Sequence, residues 1–336
     1  MRDGRRLSFV IPVYNEAESL PTLHGEIVDA CREAGATIAE VLYVDDGSRD
    51  GTWKVIETIA EKNPEVRGIR FRRNFGKAAA LSAGFRAATG SIVFTLDGDL
   101  QDDPVEVPRF LARLDEGDGL DVVSGWKKRR HDPWHKVGPS RVFNVMVSVI
   151  TGCYLHDHNC GYKAYRREVT EEVRLYGELH RFVPVLAQAR GFRVGEIEVH
   201  HRSRQFGRSK YGVSRFVKGL LDLVTVRFLT GYSTRPLHVF GVAGLGLIGL
   251  GGLGLLYMAA LWLDPANRPI GGRPLLVYAA LALGVGVQLI SLGVLAELMT
   301  RYQIDIDKTY SVAEQIGPVA HDHQSESSPP DGGPSR

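Results

Sequence analysis

The sequence predicts an α/β domain with a mainly parallel, doubly wound sheet, followed by two membrane-spanning helices. Three observations carry that prediction. Short β-branched runs alternate with helical patterns through the first two-thirds of the chain, three polar motifs each follow one of those runs, and two long apolar stretches lie near the C-terminal end.

The runs Leu7–Pro12, Val41–Asp45, Arg67–Arg72, Ile92–Leu96 and Val122–Ser124 read as buried strands. Ala17–Ala34, Thr52–Lys62 and Lys77–Ala88 lie between them with helical patterning. Such alternation implies parallel strands, and in sheets of this kind ligands bind outside the carboxyl ends. The domain is expected to span residues 1–212 and a juxtamembrane segment 213–235. Within that segment, Ser214–Leu229 puts Phe216, Val217, Leu220, Leu221, Val224 and Phe228 on one helical face, with Arg215, Lys218 and Arg227 elsewhere. That is the pattern of an amphipathic interfacial helix, and a core-facing helix would share it.

Leu237–Leu263 is apolar apart from His238, and Leu275–Met299 carries Gln288 and Glu297 as its strongly polar residues. Each exceeds the roughly 20 residues that cross a bilayer, so residues 236–300 are expected to form a transmembrane hairpin. Arg215, Lys218, Arg227 and Arg235 precede it, Arg301 and Lys308 follow it, and the connecting loop holds Arg268 and Arg273. The positive-inside bias then places the domain and the tail 301–336 in the cytoplasm, as parts of a multi-pass inner-membrane protein. The tail is rich in Ser, Pro and Gly from about residue 321 and is expected to be disordered there.

A net charge of +2 excludes nucleic acid as a partner selected by global charge. Cys31, Cys153 and Cys160 are too few and too scattered for a disulfide framework or a zinc site, and suit a reducing compartment. The basic start Met1–Arg6 has no long apolar run after it, so no cleaved signal peptide is expected.

Three motifs carry the chemistry. In Val10-Ile-Pro-Val-Tyr-Asn-Glu16 a strand ends in a rigid polar turn that can offer Tyr14 for stacking and Glu16 as an acceptor. In Tyr43-Val-Asp-Asp-Gly-Ser48 two carboxylates follow a strand and can accept from a ribose or a base, while Asp50 or Ser48 can cap the helix near Thr52. In Leu96-Asp97-Gly98-Asp99-Leu100-Gln101-Asp102-Asp103-Pro104 two carboxylates one residue apart can share a hard divalent cation that keeps room for diphosphate oxygens. Gly98 lets the backbone approach a ligand closely.

In this order, each after a buried strand, the motifs resemble those of the family 2 glycosyltransferases with a GT-A, Rossmann-like fold. More narrowly, the chain resembles the polyprenyl-phosphate glycosyltransferases that carry a C-terminal transmembrane hairpin, over Leu7 to about Gly212 and the two spans. The resemblance implies that Pro12, Tyr14, Glu16 and Asp46 hold base and ribose. It implies that Asp97, Asp99 and Gln101 bind Mg²⁺ or Mn²⁺, with Gly98 against the nucleotide. Asn74-Phe-Gly-Lys77 also matches a family pattern, without a clear role beyond starting a helix.

Two basic runs flank the acidic motif: Ser124-Gly-Trp-Lys-Lys-Arg-Arg130, followed by Lys136 and Ser140-Arg141, and His200-His-Arg-Ser-Arg-Gln-Phe-Gly-Arg-Ser-Lys210. Together they predict an anion pocket in which Lys127, Lys136, Ser140, Arg204 and Lys210 hold a lipid phosphate and offset charge during transfer. Arg204 matches a family phosphate-binding arginine, and Lys127 stands where relatives have an arginine, which keeps the charge without the bidentate fork. His156-Asp-His-Asn-Cys-Gly-Tyr-Lys163 offers Asp157 as a group that helps the acceptor or orients basic side chains. Glu178 and Arg181 either face the sugar or cap a helix.

The resemblance therefore implies inverting transfer of a hexosyl group from a UDP- or GDP-linked sugar to a polyprenyl phosphate, with Asp99, Asp157 and Arg204 at the reacting centre. The Gly-rich first span permits close packing, and bacterial relatives imply a homo-oligomer. A processive polysaccharide synthase would carry a Gln-x-x-Arg-Trp motif, a context that none of Trp53, Trp126, Trp134 or Trp262 has. A non-catalytic scaffold on a decayed transferase fold is opposed by the intact Asp97, Asp99 and Gln101.

Overall fold

The structure is a computed structural model. It describes residues 5–117, 119–128, 134–173, 175, 177, 179–202, 219, 221–223, 225–227, 236–267, 269–301 and 312–316. The chain forms two compact units, Met1–Leu223 with Lys308–Arg336, and Val224–Asp307.

The first unit is built on β1 (Arg6–Val13), β2 (Thr37–Asp45), β3 (Val66–Phe71), β4 (Ile92–Thr95), β5 (Val122–Trp126), β6 (Lys163–Arg166), β7 (Val194–Glu198) and β8 (Val312–Ile316). They form one sheet in the order β7-β5-β6-β4-β1-β2-β3-β8. The β4-β1-β2-β3 block is parallel throughout, as is the β5–β7 pair. β6 runs antiparallel to both β4 and β5, and β8 runs antiparallel to β3. The five expected strands are all present. β6, β7 and β8 are additional, and β8 lies in the polar segment after the hairpin.

Helices cover both faces of this sheet, which is why its central strands read as unbroken apolar runs. On one face Phe9, Ile11, Tyr43 and Phe94 pack with Leu20, Leu23 and Ile27 of α1 (Leu20–Glu33) and Phe110 of α4 (Val107–Leu114). On the other, Val10, Leu42, Val44 and Val93 pack with Ala80, Leu81 and Phe85 of α3 (Lys77–Ala87). α3 lies so close to β1 that a Cβ on Gly84 would fall 2.1 Å from Val10 Cγ1. α2 (Thr52–Lys62), α5 (Trp134–Thr151), α6 (Arg167–Glu172) and α7 (Val183–Ala189) complete the layers.

The sheet edge away from the polar motifs is fixed by a buried polar network. Glu40 accepts from the Thr89 amide at 2.8 Å and the Thr89 hydroxyl at 2.6 Å, pairs with Arg67 at 3.4 Å, and contacts Ser8 Oγ. Arg67 also donates to the Ala87 carbonyl at 2.9 Å. These bonds hold the turn into β4.

The second unit is an antiparallel pair, α8 (Pro236–Leu263) and α9 (Pro274–Arg301). The candidate spans, Leu237–Leu263 and Pro274–Glu297, have mean hydropathies of 2.1 and 2.2 over their most apolar windows. Their backbones touch at small residues: a Cβ on Gly244 would lie 2.7 Å from the Gly286 carbonyl oxygen, and one on Gly251 2.6 Å from that of Ala279. Small residues at these points let the two helix backbones approach closely. Glu297 accepts from the Leu237 amide at 3.4 Å, placing a carboxylate at the positive end of α8. Of the expected amphipathic segment, residues 219, 221–223 and 225–227 are described and are helical.

Candidate active site

Because β4, β1 and β2 are adjacent and parallel, the loops that follow them emerge side by side. The first two loops are stitched to each other. The Asn15 amide donates to Ser48 Oγ, the Arg49 amide to Asn15 Oδ1, and the Glu16 amide to Thr52 Oγ1, each at 2.9 Å. Asn15 adopts a φ of 58°, which turns the chain sharply after Tyr14 and leaves that ring 38% exposed. Neither Asp50 nor Ser48 is the N-cap of α2, which is Gly51 without a side-chain cap; Asp50, one residue earlier, accepts from the Thr52 amide at 3.0 Å.

Asp46 is buried and accepts from two backbone amides, Phe75 at 2.6 Å and Gly76 at 2.9 Å. Burial raises its carboxyl above the usual range, with Asp45 adding to the rise and the two amides opposing it. The Asn-Phe-Gly-Lys segment is thus held by Asp46 at the start of α3. Beside these loops opens a pocket of about 270 Å³ lined by Tyr14, Ser48, Arg49, Arg70, Arg73 and Asn74, among others. It offers the partly exposed Tyr14 ring and several guanidinium donors. Pro12 lies within β1, opposite Val44 of β2.

The third loop is the acidic one. Leu100 takes a φ of 60°, and the turn closes through the Gln101 amide to Asp99 Oδ1 at 3.2 Å and the Asp97 amide to Asp102 Oδ2 at 3.3 Å. Gly98 donates space to β1: a Cβ there would come 3.1 Å from Val13 Cγ1, and its carbonyl accepts from Ser19 Oγ at 2.6 Å. Gly161 lies against the Asp97 carboxylate, where a Cβ would fall 2.7 Å from Oδ1.

Lysines neutralise this loop. Lys77 Nζ contacts Asp97 Oδ1, and Lys127 Nζ sits 2.8 Å from Asp102 Oδ1. Burial works to raise the Asp97 carboxyl, but Lys77 and Lys127 outweigh it and hold the group below the usual carboxylate range. For Lys127 burial works the other way, and Asp102 outweighs it, so the ammonium is held above its ordinary value. Arg202 fastens the loop from outside with a fork to Asp103 at 2.7 and 3.1 Å and a second contact to Glu26 at 2.8 Å. Its amide donates to the Gln101 carbonyl at 3.0 Å, and the Gln101 side chain approaches His201.

Among the described residues, no three His, Cys, Asp or Glu side chains converge into a closed metal cage. Asp97 and Asp99 bring two hard-oxygen carboxylates, one residue apart, to this loop. That set fits Mg²⁺ or Mn²⁺, which take few protein ligands and leave positions for diphosphate and water.

Asp157 is buried and accepts from the Asn159 amide at 3.1 Å, closing the turn before β6. Its neighbour His158 is fully buried, 3.0 Å from Ser148 Oγ. Burial, reinforced by Lys163 and opposed by Asp157, brings its pKa down to about 4. Next to it, His156 stacks on Trp126 with ring centroids 4.1 Å apart. Ser140 lies on α5; the side chain of Lys136, and Glu178, Arg204 and Lys210, fall outside the described residues.

The family model for "Glycosyl transferase family 2" matches residues 8–174, a stretch that includes all three loops. Dodecaprenyl-phosphate galacturonate synthase of Rhizobium johnstonii is 38% identical over 319 residues, 92% of this chain and 92% of that one. The chain belongs to glycosyltransferase family 2, in its polyprenyl-phosphate branch. Among solved structures, glucosyl-3-phosphoglycerate synthase from Mycobacterium tuberculosis, in complex with Mn²⁺ and uridine-diphosphate-glucose, shares the fold with a TM-score of 0.52. It is 20% identical, over 67% of this chain and 79% of that one. The same enzyme with phosphoglyceric acid aligns with a TM-score of 0.51 and 20% identity over 68% and 80%.

Within this transferase, three contacts were not anticipated from the sequence. Lys77 reaches Asp97, Lys127 is tied to Asp102, and Arg202 is forked to Asp103 of the acidic loop. Only Lys77 had a local signal. It opens α3, where the helix dipole disfavours a cation, so a nearby anion was implied.

Proposed function

We propose that this transferase moves a sugar from a UDP-linked donor to a polyprenyl phosphate, and that a uronosyl donor is the first to try. The observation that carries the reading is the convergence of three loops, bearing Tyr14, Asp46 and the Asp97–Asp99 pair, at the carboxyl ends of β1, β2 and β4 beside a pocket. The relative's name supports both the lipid acceptor and the uronate.

In this reading the base stacks on Tyr14 in the pocket, with Pro12, Glu16 and Asp46 framing base and ribose. Asp97 and Asp99, with Gln101 alongside, hold Mg²⁺ or Mn²⁺, which when bound supplies Lewis-acid stabilisation of the leaving diphosphate. The acceptor phosphate is anionic at neutral pH, so its oxygen attacks the anomeric carbon without a strong general base, and one displacement inverts that centre. Asp157, buried in its turn, is a positioning group for the basic side chains nearby. Lys136, Ser140, Arg204 and Lys210 hold the lipid phosphate, with Lys127 adding charge. The hairpin crosses the inner membrane with both ends cytoplasmic, and its small-residue surface supports a homo-oligomer.

The test uses full-length protein in detergent with Mn²⁺, undecaprenyl phosphate and radiolabelled UDP-sugars, followed by extraction of lipid-linked product. Metal-dependent labelling of the lipid is expected, strongest with a UDP-uronate. No lipid product and no released UDP across the common donors would sink the reading.

A further inference from the structure

Lys77 and Lys127 both neutralise carboxylates of the acidic loop, but they are held differently. Lys127 and Asp102 are enclosed, with side chains 14% and 1% exposed, and neither can leave without stranding a buried charge. Lys77 and Asp97 are 32% and 35% exposed, so that pair can open into solvent. The position of Lys77 is also locally unfavourable. It is the first residue of α3, at the positive end of the helix, and the Asp46 carboxylate already serves the neighbouring amides of Phe75 and Gly76. The gain that keeps Lys77 there comes from Asp97, the residue that a divalent cation also needs.

An ammonium and a dication on one carboxylate repel each other. A dication arriving alone must displace Lys77 and leave it beside two positive charges. A diphosphate arriving alone meets Asp97 and Asp99. When both arrive, the dication takes the carboxylates and the ammonium has a phosphate oxygen to turn to. Counting Asp97, Asp99 and Lys77, the free loop carries a net −1, and adding a dication and a doubly charged diphosphate restores −1.

We propose that Lys77 is an exchangeable counter-cation: it closes the metal site in the free protein and moves to the donor's diphosphate when metal and nucleotide bind together. Lys77 thereby makes the two ligands bind cooperatively, and it limits occupation of the site by metal alone. This rests on the donor-site reading above.

The test measures Mn²⁺ binding to full-length protein in detergent by the electron paramagnetic resonance signal of free Mn²⁺. It is run with and without UDP, corrected for Mn²⁺–UDP association in solution, for the native chain, Lys77→Met and Lys77→Arg. Lys77→Met is expected to bind Mn²⁺ alone at least tenfold more tightly than the native chain, while the enhancement by UDP shrinks at least tenfold. Lys77→Arg is expected to stay within threefold of the native chain in both. Lys77→Gln takes the place of Lys77→Met if thermal melting shows that Met is not tolerated. If the native chain retains Mn²⁺ with UDP but removing the charge leaves Mn²⁺ binding unchanged or weaker, the exchange is wrong and the donor site stands. If the native chain retains no Mn²⁺ even with UDP, the donor-site reading falls and the exchange with it.

Discussion

Asp46 and Asp97 follow β2 and β4, the parallel strands on either side of β1, and lie at the same carboxyl end of the sheet, yet they are neutralised by different means. Asp46 accepts from two main-chain amides that cannot move without unravelling α3. Asp97 is met by a flexible ammonium. A carboxylate held by backbone shapes a loop, and a carboxylate held by a side chain can change partners. The comparison teaches that acidic motifs of similar appearance divide into structural and exchangeable ones, and that their partners decide which is which.

The largest effect that tests this division is on the acidic loop. Asp99→Asn should lower kcat/KM by about a thousandfold, near 4 kcal/mol, with little change in melting temperature. An Asp99→Asn protein with native activity would remove the loop from the chemistry. Asp46→Ala should act in the opposite sense, costing roughly 3 kcal/mol of stability in urea unfolding because two amides lose their acceptor. If it were as stable as the native chain but inactive, the assignment of Asp46 as the structural member would be reversed.

A third measurement asks whether burial sets the titration of His158, in the turn before β6. His158 titrates near 4 in the folded chain and near 6.5 when unfolded. Between those values the unfolded chain binds the extra proton, so stability falls as pH drops from about 6.5 towards 4, by on the order of 3 kcal/mol. Unfolding of the native chain and His158→Gln should diverge least at pH 4 and most at pH 7; a difference constant with pH would show that the site is already wet. The smallest effect belongs to Tyr14. Tyr14→Ala should raise the Kd for UDP about tenfold, in the range of one lost base–aromatic stack, while Tyr14→Phe stays close to native.

The division between legible and hidden parts follows the range of the interactions. β1 to β5 were readable because two covered faces demand apolar runs, and α2 and α3 because helical patterning fills the stretches between those runs. β6 was hidden: Lys163-Ala-Tyr-Arg166 carries a charge at each end, and its lysine is buried by a contact to the Cys160 carbonyl that no local pattern announces. β8 was hidden because Val-Ala-Glu-Gln-Ile is five residues in a polar tail, and it becomes a strand only by pairing with β3. The three motif loops were legible as sites. What they touch was not, since Lys77–Asp97, Lys127–Asp102 and Arg202–Asp103 join residues far apart in the chain.

The return of β8 to β3 changes what the hairpin is in the architecture. Seven strands of the sheet precede it in the chain and β8 follows it, pairing Arg70 with Glu314 and Gly68 with Ile316. The hairpin is therefore an insertion within the sheet's chain order rather than a C-terminal appendage. Cutting the protein before the first span to make it soluble would also strip the strand from β3, leaving an open parallel-sheet edge as a template for self-association. A hairpin excised by joining its two ends with a flexible linker would keep that edge closed.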